Sequence, residues 1–439
     1  MKSFMRSIVL RLSERLSVPH RRRHHRNALH ACVAASVALL ATPYIAADIF
    51  TVRPGQDWSR VASELKPGDV VQLAAGIHLG ATLENVHGSA LLPITIRPEE
   101  PRGLVEVAAD REAIKLVNAS HVRIERIAVR KARRAGILIE STPTAAANPT
   151  SQGIVLSDIY ISNVAGLAEE SGIVVRGVRD VEISRTRVEN CAGAGILLDA
   201  CASVGLRRLQ CVTAPDKSSR AGIELDGPQH GVVIEDVSIK GPFASALVVG
   251  VRDSVRPAVD SSRTEAGERS TGPSKPSGPS NPSGPSNPSG PLVRLLSVSN
   301  VRASMVHRFI DLGSCADCVV RNATVTDPKE EVYRIAKPPT GTASASLELL
   351  DSIITWQPGG LRRFGAVDDG ADARGFVLGA NLWWSRELPV ALDLLGPKGA
   401  PFPGTVSGVQ RTDLDPQLDR NFAPTAADAK IYGATPAGR

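Results

Sequence analysis

The sequence predicts an all-β solenoid, a single chain wound into a coil of three short strands per rung with each strand stacked on its equivalent in the next. Three observations lead there. First, Gly136-Ile137, Gly172-Ile173, Gly195-Ile196 and Gly222-Ile223 recur at spacings of 36, 23 and 27 residues, and Ala113-Ile114 and Ala246-Leu247 fill the same slot. Self-similarity at such a period marks a repeat architecture. Second, an eight-residue pattern with apolar first, third, sixth and eighth places follows the openings: Val122-Ile124-Ile127-Val129, Ile154-Leu156-Ile159-Ile161, Val204-Leu206-Leu209-Cys211 and Val293-Leu295-Val298. Val181-Ile183-Thr186-Val188 departs from it only at Thr186. Period two within each half keeps one face inward, and the two-residue step (Glu125-Arg126, Arg207-Arg208) carries that face round a corner. Third, no 3.6-residue apolar stripe runs beyond a few turns, which disfavours helical bundles. One rung cannot bury its apolar side alone. Stacking at ~4.8 Å satisfies the strands and joins the apolar residues into one core.

The chain opens on a leader. Residues 1–30 hold eight Lys/Arg and one acid, Glu14, and residues 31–47 hold no charge, so the remainder carries −1 against +6 overall. A basic region, an apolar run from Ala31 and small residues at Ala46 and Ala47 read as a signal peptide over 1–47. The expected location is secreted, periplasmic or on the cell surface. An uncleaved anchor is the other reading, though Pro43 makes a poor spanning helix. Apart from this export signal no segment calls for a membrane. The basic charge belongs to the leader and aromatic residues are 4% of the chain, so nucleic-acid binding by the folded part is excluded as an expectation.

The segment FTVRPGQDWSRVASELKPGDVVQLAAGIHLG, followed by LLPITIRPEEP, is similar to the start of chondroitinase-B-like and alginate-lyase-like proteins. The repeat itself resembles the right-handed parallel β-helix of the pectin-lyase-like superfamily. The resemblance implies a single domain over 48–435, with about eight or nine rungs. It also implies a short amphipathic helix from Trp58 to Leu65 capping the open end, where unpaired strand edges need cover. Pro67-Gly68-Asp69 then turns into a first rung whose core begins at Val70, Val71 and Leu73. The late segments GANLWW and LDPQLDRNFAPTAADAKIYGA resemble the close of such proteins. The superfamily includes lyases, hydrolases, epimerases and non-catalytic members, so the fold does not choose a chemistry.

Two turns depart from regularity. One expands to Ser141–Gly153. The other becomes a Pro/Ser/Gly-rich insertion at about 252–292, with Ser277-Gly278-Pro279 and its repeats, too poor in apolar residues to order itself. It reads as either a flap over a groove or a tolerated expansion of an exposed turn. Five cysteines follow the leader, Cys191, Cys201, Cys211, Cys315 and Cys318. An odd number is not a disulfide framework, and Cys315-x-x-Cys318 lacks the further ligands of a zinc site.

Stacking the openings generates two outward columns. One runs Val117, Glu140, Arg176, Asp199, Asp226, Gly250, and the other Lys115, Leu138, Val174, Leu197, Glu224, Val248, Asp311. Asp199, Glu224 and Asp226 gather on adjacent rungs. Like charges so close repel and are tolerated around a bound cation, so a calcium ion is the cofactor they would hold. With Arg176 and Glu140 as substrate-binding groups, that cation would neutralise a uronate carboxylate. Lys217, Arg220 or His230, on the flanking turns, would then take the adjacent C–H proton in a β-elimination. The resemblance implies the same place, the groove beside the opening-strand sheet. The competing reading is a solvated ladder Glu140–Arg176–Asp199, worth a few tenths of a kcal/mol per pair, on the order set by exposed pairs. The columns hold no aromatic residue for sugar stacking; Trp356, Trp383 and Trp384 come late and serve either end packing or a platform. The first functional expectation is a monomer that binds an acidic polysaccharide, with cleavage by β-elimination following if it is catalytic. The alternative is a non-catalytic surface or matrix protein for carbohydrate binding or adhesion.

Overall fold

The Gly-Ile openings are strands of one sheet, stacked in parallel register. Ile137, Ile173, Ile196 and Ile223 are aligned on successive strands, with Ile114 before them and Leu247 after. Among the described residues this front sheet has ten strands, from Ala81–Glu84 to Gly365–Val367. The computed structural model describes residues 47–101, 103–142, 151–164, 170–251, 291–338, 346–385 and 401–435. All of the expected leader except Ala47, the insertion as far as Gly290 and most of the Ser141–Gly153 turn lie outside the described residues.

Why glycine recurs in the opening is visible in the packing. A Cβ on Gly136 would stand 2.7 Å from Ile161 Cγ2, and one on Gly195 would stand 2.8 Å from Cys211 Sγ. The slot faces the opposite wall of the coil at its narrowest point. Next to the glycines the slot takes only the single methyl of Ala113 or Ala246, both 0% exposed, whereas on later strands it holds Phe309 and Val332, also 0% exposed.

The eight-residue pattern forms the other two sides. Val122–Glu125 stacks on Ile94–Pro98 and under Gln152–Ser157, while Ala128–Arg130 stacks on Val105–Ala108 and under Tyr160–Ser162. The two ladders fuse where a strand runs through the corner, as in Ala202–Val212 and Gln229–Lys240. The corner is one left-handed residue per rung: Arg126 (φ 56°), Asp158 (56°), Arg185 (49°), Arg208 (54°). Each costs about 1–2 kcal/mol for an L-residue. The stack recovers some of this by pairing side chains, Arg185 donating to Asp158 at 2.7 and 2.8 Å. Inward Thr186, the one polar break in the pattern, donates its hydroxyl to Ser184 O at 3.0 Å.

Three expectations need correction. The coil starts earlier than the Pro67-Gly68-Asp69 turn, because Ile49–Val52 already pairs with Val70–Leu73. The capping segment is a seven-residue 3₁₀ helix, Trp58–Glu64, anchored by buried Trp58, whose Nε1 donates to Leu79 O at 2.9 Å. In the Val293 rung the inward residue is Leu296, while Leu295 is 50% exposed. Leu295 takes φ 54° in the slot that Gly231 fills one rung earlier, which shifts the side-chain alternation by one place. At the other end the closing segment folds back on the rungs. Tyr432 and Ala429 pack with Ile353 and Leu382, and Ala434 N donates to Thr324 Oγ1 at 2.7 Å.

Candidate functional site

The outward columns exist as read from the sequence. Glu140 is in register with Arg176, Arg176 with Asp199 and Asp199 with Asp226; Glu224 stands beside Leu197 and Val248, and Val248 beside Asp311. Outward does not mean exposed. Leu138, Val174, Leu197 and Val248 form an apolar cluster with Ala135, Ala194 and Ala221, and Glu224 and Asp226 are each 5% exposed. The strand ends pair selectively. Lys115 Nζ lies 2.7 Å from Glu140 Oε1, and Arg220 Nη2 lies 2.6 Å from Glu224 Oε2. Asp226 Oδ1 accepts from Gly227 N at 2.8 Å, and Gln229 ties this turn to the rung below, donating to Asp226 O and accepting from Cys201 N. Asp199 leans over the same turn, since a Cβ on Gly227 (φ +64°) would meet its Oδ1 at 2.3 Å. Arg176 sits between Glu140 and Asp199 in the ladder, yet its guanidinium makes no ion pair or hydrogen bond among the described residues.

Asp199 and Asp226 thus flank one turn, while Glu224 is engaged by Arg220. Among the described residues no group of three or more His, Cys, Asp or Glu is arranged to hold a metal ion. The expected set does not fit a calcium site. The three expected bases are not brought together either. Lys217 precedes the strand Ser219–Asp226, which at ~3.3 Å per residue puts it roughly 20 Å or more from Asp226; its Nζ reaches Asn163 Oδ1 at 3.4 Å. Arg220 is held in an ion pair by the Glu224 carboxylate. His230 is exposed and opens a strand of the other sheet, in register with Ala202 and Arg294. Sequence columns gave the rung of each residue but not the direction of its side chain.

The sequence reading missed a second charged group at the upper end of the same face. Glu331 is 0% exposed and bridges Arg308 Nε and Arg363 Nε, both at 2.6 Å. Asp311 Oδ2 accepts from Arg308 Nη1 at 3.0 Å and from Arg334 Nη1 at 3.3 Å, and Arg334 grips Asp368 at 3.0 and 2.7 Å. Burial pushes the Asp311 carboxyl above the usual carboxylate range, against the pull of the two guanidinium groups. Its Oδ1 is buried with no hydrogen-bond partner. Asp311 stood in the outward column, so it was legible. Asp368 is brought there by the strand Gly365–Val367 just before it, which stacks on Glu331–Ile335 as the last strand of the front sheet.

A family model described as "Right handed beta helix region" matches residues 105–256. The fold is a right-handed parallel β-helix. Solved structures similar to this chain include an alginate lyase from Paenibacillus sp. str. FPU-7, at 13% identity and TM-score 0.47, covering 83% of this chain and 99% of that one. A family 28 exopolygalacturonase from Yersinia enterocolitica aligns at 9% identity and TM-score 0.48, covering 84% and 76%. A GH136 lacto-N-biosidase from Eubacterium ramulus aligns at 10% identity and TM-score 0.45, covering 88% and 70%. No curated protein matches the sequence.

Inside the β-helix the five cysteines are free and buried. Burial pushes Cys191 and Cys211 up to about 12 and Cys201 up to about 11, so these thiols are core packing rather than nucleophiles. No helix among the described residues is long and apolar enough to cross a membrane. What the front face offers chemically is one unengaged guanidinium in the middle of the β-helix and a buried carboxyl among arginines near its upper end.

Proposed function

We propose that this exported β-helix binds an acidic polysaccharide along the outer face of the front sheet. Arg176 carries the reading. Its neighbours in the ladder are Glu140, already taken by Lys115, and Asp199, which leans over the Gly227 turn. A guanidinium left open on a rigid sheet is suited to a planar carboxylate, which it grips through two parallel hydrogen bonds. The path toward the lower rungs supports it. A cleft of about 730 Å³ there is lined by Arg111, Lys115 and Lys131 together with Glu84, Asp110 and Glu112, so it offers cations beside an equal number of carboxylates, and Lys115 lies two strands from Arg176, or ~10 Å along the stack.

Retardation of the protein in gels containing alginate, pectate or chondroitin sulfate tests the proposal. Arg176→Ala should weaken binding about ten- to a hundredfold, the worth of a charge-assisted contact, and Arg176→Lys should restore part of it. Equal retardation of wild type and Arg176→Ala, or none of either, overturns it.

A second reading, cleavage by β-elimination, is favoured by Asp311. A carboxyl with a raised pKa and an unengaged buried oxygen is a proton-transfer group. In this reading Asp311 takes the C–H proton beside a uronate carboxylate held by Arg334 or Arg308, the C–H electron pair becomes the new C=C bond, and the glycosidic C–O bond breaks with its pair on the oxygen, which takes a proton from water. Absorbance of the unsaturated product, lost in Asp311→Asn, supports it. Glycan binding with no product leaves the non-catalytic carbohydrate-binding protein.

A further inference from the structure

The four tryptophans of this chain part company in the structure. Trp58, Trp356 and Trp383 are 1%, 8% and 0% exposed. Trp356 and Trp383 both pack edge-on against Phe364, at 5.5 and 6.0 Å between ring centres. Trp384 faces the other way. Alternation along the strand Asn381–Ser385 sends Trp383 inward and leaves Trp384 half-buried, above Thr355 and Thr326 in the same outward column. There it lines a cleft of about 450 Å³, within the range of small-ligand pockets at about 300–1,000 Å³. The opposite wall is the returning chain from Asp415 to Asp419.

The polar groups of this cleft are fixed and one-signed. Asp327 Oδ1 accepts from Gln357 N at 3.1 Å and Asp415 Oδ1 accepts from Gln417 N at 2.8 Å. Asp419 Oδ1 accepts from Asn421 N and Ala423 N, and these backbone donors hold its carboxyl below the usual range. Backbone donors orient each carboxylate through Oδ1, and Asp419 also takes a side-chain hydrogen bond from Asn421 and the pull of the Arg302 charge. Three acids and no Lys or Arg line the cleft.

We propose that this cleft is a binding site for an uncharged sugar unit, separate from the front face. A pyranose ring presents a face of weakly positive C–H bonds, which meets the negative face of the Trp384 indole. Its hydroxyls are donors, and oriented carboxylates accept them strongly. The three negative charges repel a uronate, so the site selects against the acidic glycan expected on the front sheet. This site stands whether or not Arg176 binds anything.

Trp384 is the most exposed of the four tryptophans and Trp356, 8% exposed, lines the same cleft, so quenching reads out its occupancy. Acrylamide quenching of intrinsic fluorescence would be followed in the full chain during titration with cellohexaose, xylohexaose, mannohexaose and chitohexaose, and with oligogalacturonate and oligoalginate as the charged arm. The expected result is protection by at least one uncharged oligosaccharide and none by the charged ones. Binding of that oligosaccharide, measured by calorimetry, should fall about tenfold in Trp384→Ala and less in Trp384→Phe. Asp415→Asn, which keeps the shape, should fall severalfold. Arg176→Ala should leave it unchanged, and Trp384→Ala should leave acidic-glycan retardation unchanged, so either proposal fails without the other. Protection by no uncharged oligosaccharide, equal protection by the charged ones, or wild-type affinity in both Trp384→Phe and Asp415→Asn overturns the assignment.

Discussion

Arg176 and Arg308 occupy the same face of the same sheet and have opposite fates. Arg176, in the middle, has an acidic residue in register on either side and pairs with neither. Arg308, further along the same sheet, is 14% exposed and pairs with Asp311, Glu330 and Glu331. Register alone does not make a salt bridge. Around Arg176 each carboxylate has a nearer engagement, while at Arg308 burial forces every charge to find a partner, because a buried unpaired ion costs several kcal/mol. An open charge on a rigid sheet is available to a ligand. A closed network is mainly architecture, except where one oxygen stays unengaged.

Three substitutions would sharpen or break this contrast. The largest effect belongs to Glu331→Ala. It removes the carboxylate that Arg363 pairs with and the nearest partner of Arg308, beside a fully buried site, and should cost about 3 kcal/mol in a denaturant melt; a loss below about 1 kcal/mol would mean that solvent reaches the network. Next is Asp311→Asn. The Asp311 carboxyl titrates above its unfolded value, so it binds its proton more readily in the native state. Its contribution to stability is full below the usual carboxylate range and is lost as pH rises through the raised value. Between about pH 4 and 7 the variant should therefore lose less stability than wild type, by on the order of 1 kcal/mol. A steeper decline in the variant would show that the arginines, not burial, set this group. The smallest effect is on Arg176→Ala, which removes no partner and should leave the unfolding free energy within about 0.5 kcal/mol of wild type, even as acidic-glycan binding drops.

Much of the architecture was legible because the repeat obeys simple sterics. Gly-Ile marked the narrow slot, and alternate apolar residues marked the walls. Together they placed Glu140, Arg176, Asp199 and Asp226 in one column. The slip at Leu295 shows the limit of counting. A left-handed residue inserts one position without changing composition, and Leu gave no hint that it would stand where Gly231 stands. The candidate site was less legible than the fold. That Arg220 reaches along its strand to Glu224, that Lys217 lies at the far end of that strand, and that Asp368 returns to Arg334 all depend on side-chain length and direction.

By itself the sequence determined the coil, because a short period of small and branched apolar residues can be buried only by stacking one unit on the next. It also determined the rung on which each charged residue sits, since strand pairing advances one equivalent residue at a time. Tertiary structure alone decided which charges neutralise one another, which stay open, and that Trp384 faces a cleft closed by a later stretch of chain, Asp415 to Asp419. The reason is range. Backbone register is set by local alternation, whereas a side chain's partner is set by burial and by whatever the chain brings back from elsewhere.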